Sequence, residues 1–351
     1  MPDLSHVQAL ADSQHGVVSR AQAVECGLSA GQVDRLVRRR EWRRLRTGVY
    51  LVRRDPAPPA LAARVMAAQL VHGPRAVAVG PTAARLWRLQ GLLRGPGYDH
   101  VHLTVPDRGG SVSTGLRLHG WNVEPGEVTL RKGIRLTTPA RTLRDTVLLA
   151  DRDSAVSVID SALSQGLVDP GDLPALAAAN TGRVRAPRSR PWWELAAFGA
   201  QSTLETRLRL ICHDAGIPPE ALQYPVHDST GTVVGHADLA WPSWGVVAEA
   251  DGHGPHSLPG ALYTDRRRQN SIVTTPDHLT LLRFTWSDLH HPKEIVAMIL
   301  DARNSRATPA GTTPPAAAPS SADPPPSQEA LPLGGSPVPH PQPPRRAQPP
   351  T

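Results

Sequence analysis

The sequence is poor in cysteine, lysine and aromatic residues. Its two cysteines, Cys26 and Cys212, stand far apart in a chain of 351 residues, which excludes a cysteine-based zinc site and a disulfide framework and fits a reducing compartment. No apolar run approaches the ~20 residues that a membrane-spanning helix needs, and the N-terminus lacks a basic segment followed by an apolar one. We therefore expect a soluble, cytoplasmic protein with no membrane partner.

Proline, in contrast, is abundant, with 37 residues against 29 glycines. Much of it lies after Asp301, where Pro, Ala, Ser and Thr run to Thr351 with almost no apolar periodicity. Such a composition buries too little apolar surface to offset the entropy lost on folding. Residues 304–351 are therefore predicted to be a disordered tail. At about 150 residues per domain, the remainder leaves room for two or three domains.

The first 54 residues alternate helix and turn signals at short spacing. Ser19 is placed to cap a second helix, and Ser29 with Gln32 has the capping-box spacing that opens a third. Strand-like residues on both sides of Thr47-Gly48 predict a small hairpin. Three helices followed by a hairpin predict a winged helix-turn-helix.

Positive charge concentrates on the part of this motif that would meet DNA. Residues 35–54 hold nine arginines and one acid, Glu41, a local charge of +8 that exceeds the +7 of the whole chain. Each phosphate contact releases counterions and raises affinity, so charge on the third helix and the wing favours contact with double-stranded DNA. A solvated basic face in an arginine-rich chain is the alternative. The residues expected to contact DNA are Gln32, Arg35, Arg38, Arg39, Arg43 and Arg44.

The middle of the chain, residues 55–190, mixes predicted helices with short strands and shows no catalytic spacing. Thr138-Pro139 predicts a helix start, with Thr as the cap and Pro at the first helical position. Arg141 and Asp145 are four residues apart, which predicts an ion pair within that helix.

Four short motifs in this order resemble the AbiEi-type antitoxin family. They are Arg46–Tyr50, Thr82–Trp87, His102–Pro106 and Thr138–Asp145. The resemblance covers about half of the chain. It implies a DNA-binding antitoxin that represses its own operon through the winged helix, with a toxin encoded nearby as its partner.

The strongest chemical signal is a predicted hairpin centred on the turn Pro242–Gly245. This register sets Asp238 opposite Glu249 and His236 opposite Asp251, and the period of two puts all four on one face. Carboxylates that share a face repel one another unless a cation lies among them. A Mg²⁺ ion held by Asp238 and Glu249 is one solution, because Mg²⁺ prefers oxygen ligands and keeps waters that can attack a phosphodiester. Ion pairs with the arginines at 266–268 are the other.

The same region resembles the Vsr-like branch of the PD-(D/E)xK nuclease superfamily. The matching segments span about 90 residues in the family's order and are Ser202–Leu208, Asp238–Trp241, Glu249–His256, Asp265–Asn270 and Leu282–Trp286. The resemblance implies metal-dependent phosphodiester cleavage, with Asp238 and Glu249 as metal ligands.

Asp251 stands where that family has a lysine, and Pro276-Asp277-His278 replaces a usual Gly-Trp pair. Another group must then position the water or stabilise charge on the phosphate, and His256 is the first candidate and Arg283 the second. A capping box with Ser202 is an alternative role for Glu205. The predicted catalytic residues are Glu205, Asp238, Glu249, Asp251 and His256.

Together these patterns predict an α+β multidomain protein. Its predicted parts are a winged helix-turn-helix (1–54), an α/β middle domain (55–190), a restriction-endonuclease-like mixed sheet flanked by helices (191–303) and the tail (304–351). We expect a DNA-binding regulator or antitoxin that carries an endonuclease-type domain. The alternatives are a Mg²⁺-dependent DNA endonuclease targeted by the winged helix and an RNA-processing nuclease, because phosphate chemistry does not identify the sugar.

Overall fold

A computed structural model describes residues 4–52, 57–92, 99–228, 230–252 and 279–307. These residues have mixed α and β structure with three separate sheets. None of the helices in the described part of the chain is long and apolar enough to cross a membrane. The predicted candidate His256 and almost all of the predicted tail lie outside the described residues.

The N-terminal segment, residues 4–52, combines three helices with an antiparallel sheet in which β3 is central. Its elements are α1 (Ser5–Ser13), β1 (Val17–Ser19), α2 (Arg20–Glu25), α3 (Ala30–Arg38), β2 (Arg43–Arg46) and β3 (Val49–Leu51). The three predicted helices and the hairpin are confirmed. Strand β1 was not predicted, because three residues are too few to show an alternating pattern.

Both predicted serine caps form complete capping boxes. Ser19 Oγ accepts the Gln22 N–H while the Gln22 side chain accepts the Ser19 N–H, and Ser29 and Gln32 make the same exchange. Such boxes satisfy N–H groups that a helix start would otherwise leave without partners. The start of α3 is therefore determined by local sequence.

The middle segment, residues 57–190, is built around a six-stranded sheet of order β6-β7-β5-β4-β9-β8. Its strands are β4 (Val77–Ala78), β5 (Val101–Thr104), β6 (Ser111–Ser113), β7 (Leu116–His119), β8 (Val128–Arg131) and β9 (Ile134–Thr137). Its helices are α4 (Leu61–His72), α5 (Gly80–Leu86), α6 (Pro139–Leu149), α7 (Arg152–Ser164), α8 (Leu173–Ala178) and α9 (Ala186–Ser189). One apolar core joins α4 to this sheet and to the sheet of the N-terminal segment.

The predicted start of α6 is right in position and wrong in detail. Thr138 occupies the cap position before Pro139, but its side chain makes no capping hydrogen bond. Its neighbour Thr137 instead forms a buried hydroxyl contact of 2.7 Å with Thr142. The predicted pair within α6 is confirmed: Arg141 Nε donates to both oxygens of Asp145 at 3.0 Å, in a buried position.

The C-terminal segment, residues 191–307, carries a mixed sheet of order β10-β11-β12-β13. Its elements are α10 (Thr203–Asp214), β10 (Ala221–His227), β11 (Val233–Trp241), β12 (Val246–Ala250), β13 (Thr280–Phe284) and α11 (Pro292–Ala307). Strands β11 and β12 pair in the predicted register, at Leu239–Ala248, Ala240–Val247 and Trp241–Val246. Strand β13 is parallel to β12.

A buried carboxylate on α7 connects the middle and C-terminal segments. Asp160 is 1% exposed and accepts hydrogen bonds from the Ala197 N–H, from Thr206 Oγ1 and from Arg209 Nη2, each at 2.8 Å. Burial raises the pKa of Asp160, while the Arg209 guanidinium opposes that rise. Because Thr206 and Arg209 belong to α10, this carboxylate holds α10 against the middle helices.

Two histidines on neighbouring strands form a buried pair. His102 Nδ1 lies 3.0 Å from His119 Nε2, and the ring of His119 stacks on Trp121 with centroids 3.9 Å apart. Burial, helped by the nearby His102, lowers the pKa of His119 to about 3 from 6.5. His119 is therefore neutral in the folded protein at neutral pH.

This pair predicts a loss of stability in mild acid. Below pH 6.5 the unfolded chain protonates His119 and the folded protein does not, so its contribution to the free energy of unfolding falls from about pH 6.5 towards pH 3. We expect the decline measured by urea unfolding between pH 6.5 and 5 to be shallower in His119→Gln. An equal slope in both proteins would contradict the assignment.

Candidate nucleic-acid interface and carboxylate cluster

Helix α3 buries one face and presents arginines on the other. Val33 and Leu36 are buried in the core of the N-terminal segment, while Arg35, Arg38 and Arg39 are exposed. The spacing of three and four residues places these arginines on one side of the helix. The sequence therefore produces an exposed basic face whose position is set by the buried residues opposite.

Cations from helix α3 and strand β2 act on the same carboxylate. Asp34 on α3 is held by Arg20, whose Nη1 and Nη2 donate to its two oxygens at 2.8 and 2.9 Å. These hydrogen bonds lower the pKa of Asp34, and the charges of Arg38 and Arg44 lower it further. Since Arg44 belongs to β2, cations from the helix and the strand lie near one carboxylate.

The six predicted DNA-contacting residues differ in the contacts that their side chains already make within the protein. Arg35, Arg38 and Arg44 are exposed and make no salt bridge among the described residues, although Asp34 lies near enough to Arg38 and Arg44 for their charges to lower its pKa. Arg39 Nη1 lies 4.0 Å from Glu41, and Arg43 Nη1 donates to the Ala57 carbonyl at 2.9 Å. The side-chain oxygen of Gln32 accepts the Ser29 N–H at 2.6 Å.

A second group of cations, not predicted from the sequence, lies where the hairpin meets the middle segment. Arg46 donates to the carbonyl of Gly115 at 3.2 Å, and burial followed by the charge of Arg64 lowers its pKa. Arg108 Nη1 lies 3.2 Å from His72 Nδ1. Burial, Arg108 and Arg46 all lower the pKa of His72. This grouping depends on tertiary contacts, so sequence spacing gave no sign of it.

Two of the predicted catalytic carboxylates share one amide. Gln223 Nε2 donates to Glu205 Oε2 at 3.1 Å and to Asp238 Oδ1 at 3.2 Å. Gln223 lies on β10 opposite Asp238, between the pairs Leu222–Leu239 and Tyr224–Ala237, and has a φ of 48°. It was not singled out in the sequence, because only the pairing of β10 with β11 brings it to Asp238.

Glu205 is buried at the start of α10, and the capping box considered for it forms only in part. Ser202 Oγ accepts the Glu205 N–H, but the Glu205 carboxylate accepts the N–H of Gln201 at 2.8 Å rather than that of Ser202. Burial raises the pKa of Glu205, and the negative charge of Asp238 raises it further. The two carboxylates are thus close enough to repel each other.

The other two predicted carboxylates that the structure describes lie beside an arginine. Glu249 pairs in register with Arg283 on the parallel strand β13, and Arg283 Nη2 is 2.9 Å from Glu249 Oε2. Arg283 Nη1 is 4.0 Å from Asp251 Oδ2. A cation therefore does lie among the carboxylates, and it comes from β13. The arginines 266–268 considered for this role lie outside the described residues.

The pair Glu205–Asp238 and the pair Glu249–Asp251 meet where β11 and β12 stop pairing. The described ladder ends at Leu239–Ala248, and beyond it Asp238 Oδ2 accepts the Ala250 N–H at 2.8 Å. Ala250 lies between Glu249 and Asp251, so Asp238 reaches the strand that carries both. His236 is exposed and pairs with Pro225 on β10.

A divalent ion such as Mg²⁺ needs several oxygen donors arranged around one point. Among the described residues, no group of three or more His, Cys, Asp or Glu side chains is arranged to hold a metal ion. Both oxygens of Asp238 accept hydrogen bonds, and Glu249 is paired with Arg283. Binding of Mg²⁺ by Asp238 and Glu249 stays a prediction, and it would require these side chains to exchange partners.

Comparison with known proteins finds that the N-terminal segment is similar to one described family. Residues 7–53 match a family described as transcriptional regulator, AbiEi antitoxin. A protein described as uncharacterized in two strains of Mycobacterium tuberculosis is 28% identical over 227 residues, which are 63% of this chain and 78% of that protein. The crystal structure of the RV2827C protein from Mycobacterium tuberculosis is 14% identical with a TM-score of 0.36, over 65% of this chain and 85% of that one.

Proposed function

We propose that this chain is a DNA-binding transcriptional regulator of the AbiEi antitoxin type. The proposal assigns double-stranded DNA binding to residues 4–52, acting as a winged helix. Its elements follow the order α1-β1-α2-α3-β2-β3, in which α3 would enter the major groove and the β2–β3 hairpin would form the wing. The family match to residues 7–53 supports the same assignment.

The observation that carries the proposal is the group of exposed arginines on α3 and β2. Arg38 and Arg44 lie near one carboxylate, and Arg20 already occupies both oxygens of that carboxylate. Arg38 and Arg44 are therefore available to phosphates, and an arginine can bind a phosphate through two parallel hydrogen bonds.

An antitoxin would bind a protein partner as well as DNA. We propose that the partner is a toxin encoded nearby, whose activity this chain would restrain. The support is the family match alone, so the DNA-binding assignment stands whether or not a toxin exists.

Loss of the two charges at Arg38 and Arg39, at the end of α3, should weaken DNA binding in a salt-dependent way. In Arg38→Ala/Arg39→Ala, the slope of log affinity against log salt should fall by ~0.9 for each lost phosphate contact. Fluorescence anisotropy with a labelled duplex measures both affinity and slope. Arg135→Ala/Lys293→Ala removes two exposed charges from β9 and α11 and is the matched control. An unchanged slope in the α3 variant would place the DNA contact elsewhere.

A second candidate function, cleavage of DNA by a Mg²⁺-dependent endonuclease, rests on the sharing of the Gln223 amide by Glu205 and Asp238. Asp238 and Glu249 are the residues that would hold the ion, which when bound supplies a Lewis acid and an activated water. Glu205 would orient Gln223, and Arg283 would stabilise charge on the phosphate. The catalytic roles of Asp251 and His256 remain part of this candidate.

Magnesium binding decides this second candidate. Calorimetry should detect Mg²⁺ at millimolar concentration, and supercoiled plasmid should be nicked only when Mg²⁺ is present. Asp238→Asn should abolish both signals, whereas Asp301→Asn, which removes an exposed carboxylate from α11, should keep both. Absence of Mg²⁺ binding by the unaltered protein would reject the endonuclease. In that case Asp238→Asn should still lower stability without metal, because the Gln223 and Ala250 donors lose a charged acceptor.

A further inference from the structure

A cavity of about 220 Å³ lies between the N-terminal and middle segments, away from α3 and from the carboxylates. Its polar wall consists of His15, Arg85, Arg88, Arg131 and Lys132. Its apolar wall is formed by Leu61, Ala62, Leu86, Ile134 and Leu136. No acidic residue is among the described residues that line it, so four cationic side chains surround a concave space beside an apolar surface.

The two sides of the cavity are held in place by direct contacts. His15 follows α1, and its Nε2 donates to the carbonyl of Lys132 at 2.7 Å. The guanidinium of Arg131 lies 4.8 Å from the centre of the Trp87 ring, and Trp87 Nε1 donates to the Thr137 carbonyl. A cation–π contact therefore helps to hold Arg131 at the cavity.

Two of the basic residues, Arg88 and Lys132, have backbone conformations that favour Gly or Asn. Lys132 and Gly133 form the two-residue turn between β8 and β9, with φ of 48° and 77°. Such turns strongly prefer Asn before Gly. Arg88 follows the end of α5 with φ of 65°, a position usually taken by Gly or Asn. His15 also has a positive φ, of 58°. Three basic residues of the cavity wall therefore have backbone conformations that carry a cost for residues with a large side chain.

We propose that this cavity binds a small organic phosphate. A phosphate ester carries a compact negative charge that several cations can share, and the apolar wall suits the attached carbon skeleton. Because His15 belongs to the N-terminal segment and Lys132 to the middle sheet, the bound ligand bridges the two. The inference does not depend on the proposed DNA binding, since none of these residues lies on α3 or β2.

The positive φ of Arg88 and Lys132 makes asparagine a suitable replacement at both positions. Arg88→Asn/Lys132→Asn removes two charges and inserts the residue that tolerates positive φ best among those with a side chain. Its melting temperature without ligand should be unchanged or higher than that of the unaltered protein. Arg135→Asn/Lys293→Asn removes the same charge outside the cavity and is the control.

Titration calorimetry at constant ionic strength tests the proposal with glycerol 3-phosphate, inorganic phosphate and glycerol as probes. The full chain should bind glycerol 3-phosphate more tightly than inorganic phosphate and should not bind glycerol. The cavity variant should lose about tenfold or more in affinity for glycerol 3-phosphate, through the loss of charge-assisted hydrogen bonds. The control variant should bind as the unaltered protein does.

Three results would overturn the proposal. They are no binding of glycerol 3-phosphate at millimolar concentration, equal affinity in the cavity variant, and an equal loss in the control variant. Duplex affinity without added phosphate separates this inference from the proposed function. It should be unchanged in Arg88→Asn/Lys132→Asn, and a marked loss together with no glycerol 3-phosphate binding would assign these cations to the DNA surface instead.

Discussion

The pairing of arginines with a limited number of acids holds together the polar interior of the described residues. Lys and Arg number 38 against 31 acids, and all but two of the 38 are arginine. A buried guanidinium without a carboxylate is costly, so the interior uses acids as partners for arginines. Asp145 forms ion pairs with Arg141 and Arg183, and Asp160 forms one with Arg209. On the exposed face of α3, in contrast, Arg35 and Arg38 make no salt bridge among the described residues, and the described lining of the cavity at Arg88 and Lys132 contains no acid.

The same constraint governs the carboxylate cluster. Crowded carboxylates need a cation, and in the described residues Arg283 from β13 takes that position beside Glu249. The Gln223 amide lies between the other two carboxylates and donates a hydrogen bond to each, Glu205 and Asp238. These contacts form a hydrogen-bonded network, and they define what a metal ion would have to displace. It connects to the rest of the molecule through Asp160, which anchors α10 and therefore Glu205.

Local patterns predicted much of this structure, and tertiary contacts account for what they missed. Capping boxes at Ser19 and Ser29 depend on residues three apart, and the β11–β12 register follows from one turn, so both were predictable. Gln223 and the Arg46 group were not, because each becomes meaningful only when distant strands or helices meet. Thr138 shows the reverse case: its sequence position indicates a cap, but its side chain makes no capping bond.

Hydrogen–deuterium exchange of the full chain with and without duplex DNA tests most directly whether the basic face of α3 and β2 is the DNA-binding surface. The account predicts slower exchange for amides in α3 and in the hairpin of β2 and β3 when the duplex is added. The amides of β10 to β13 should exchange at the same rate in both samples. Protection concentrated in the C-terminal sheet, with none in α3, would contradict the account.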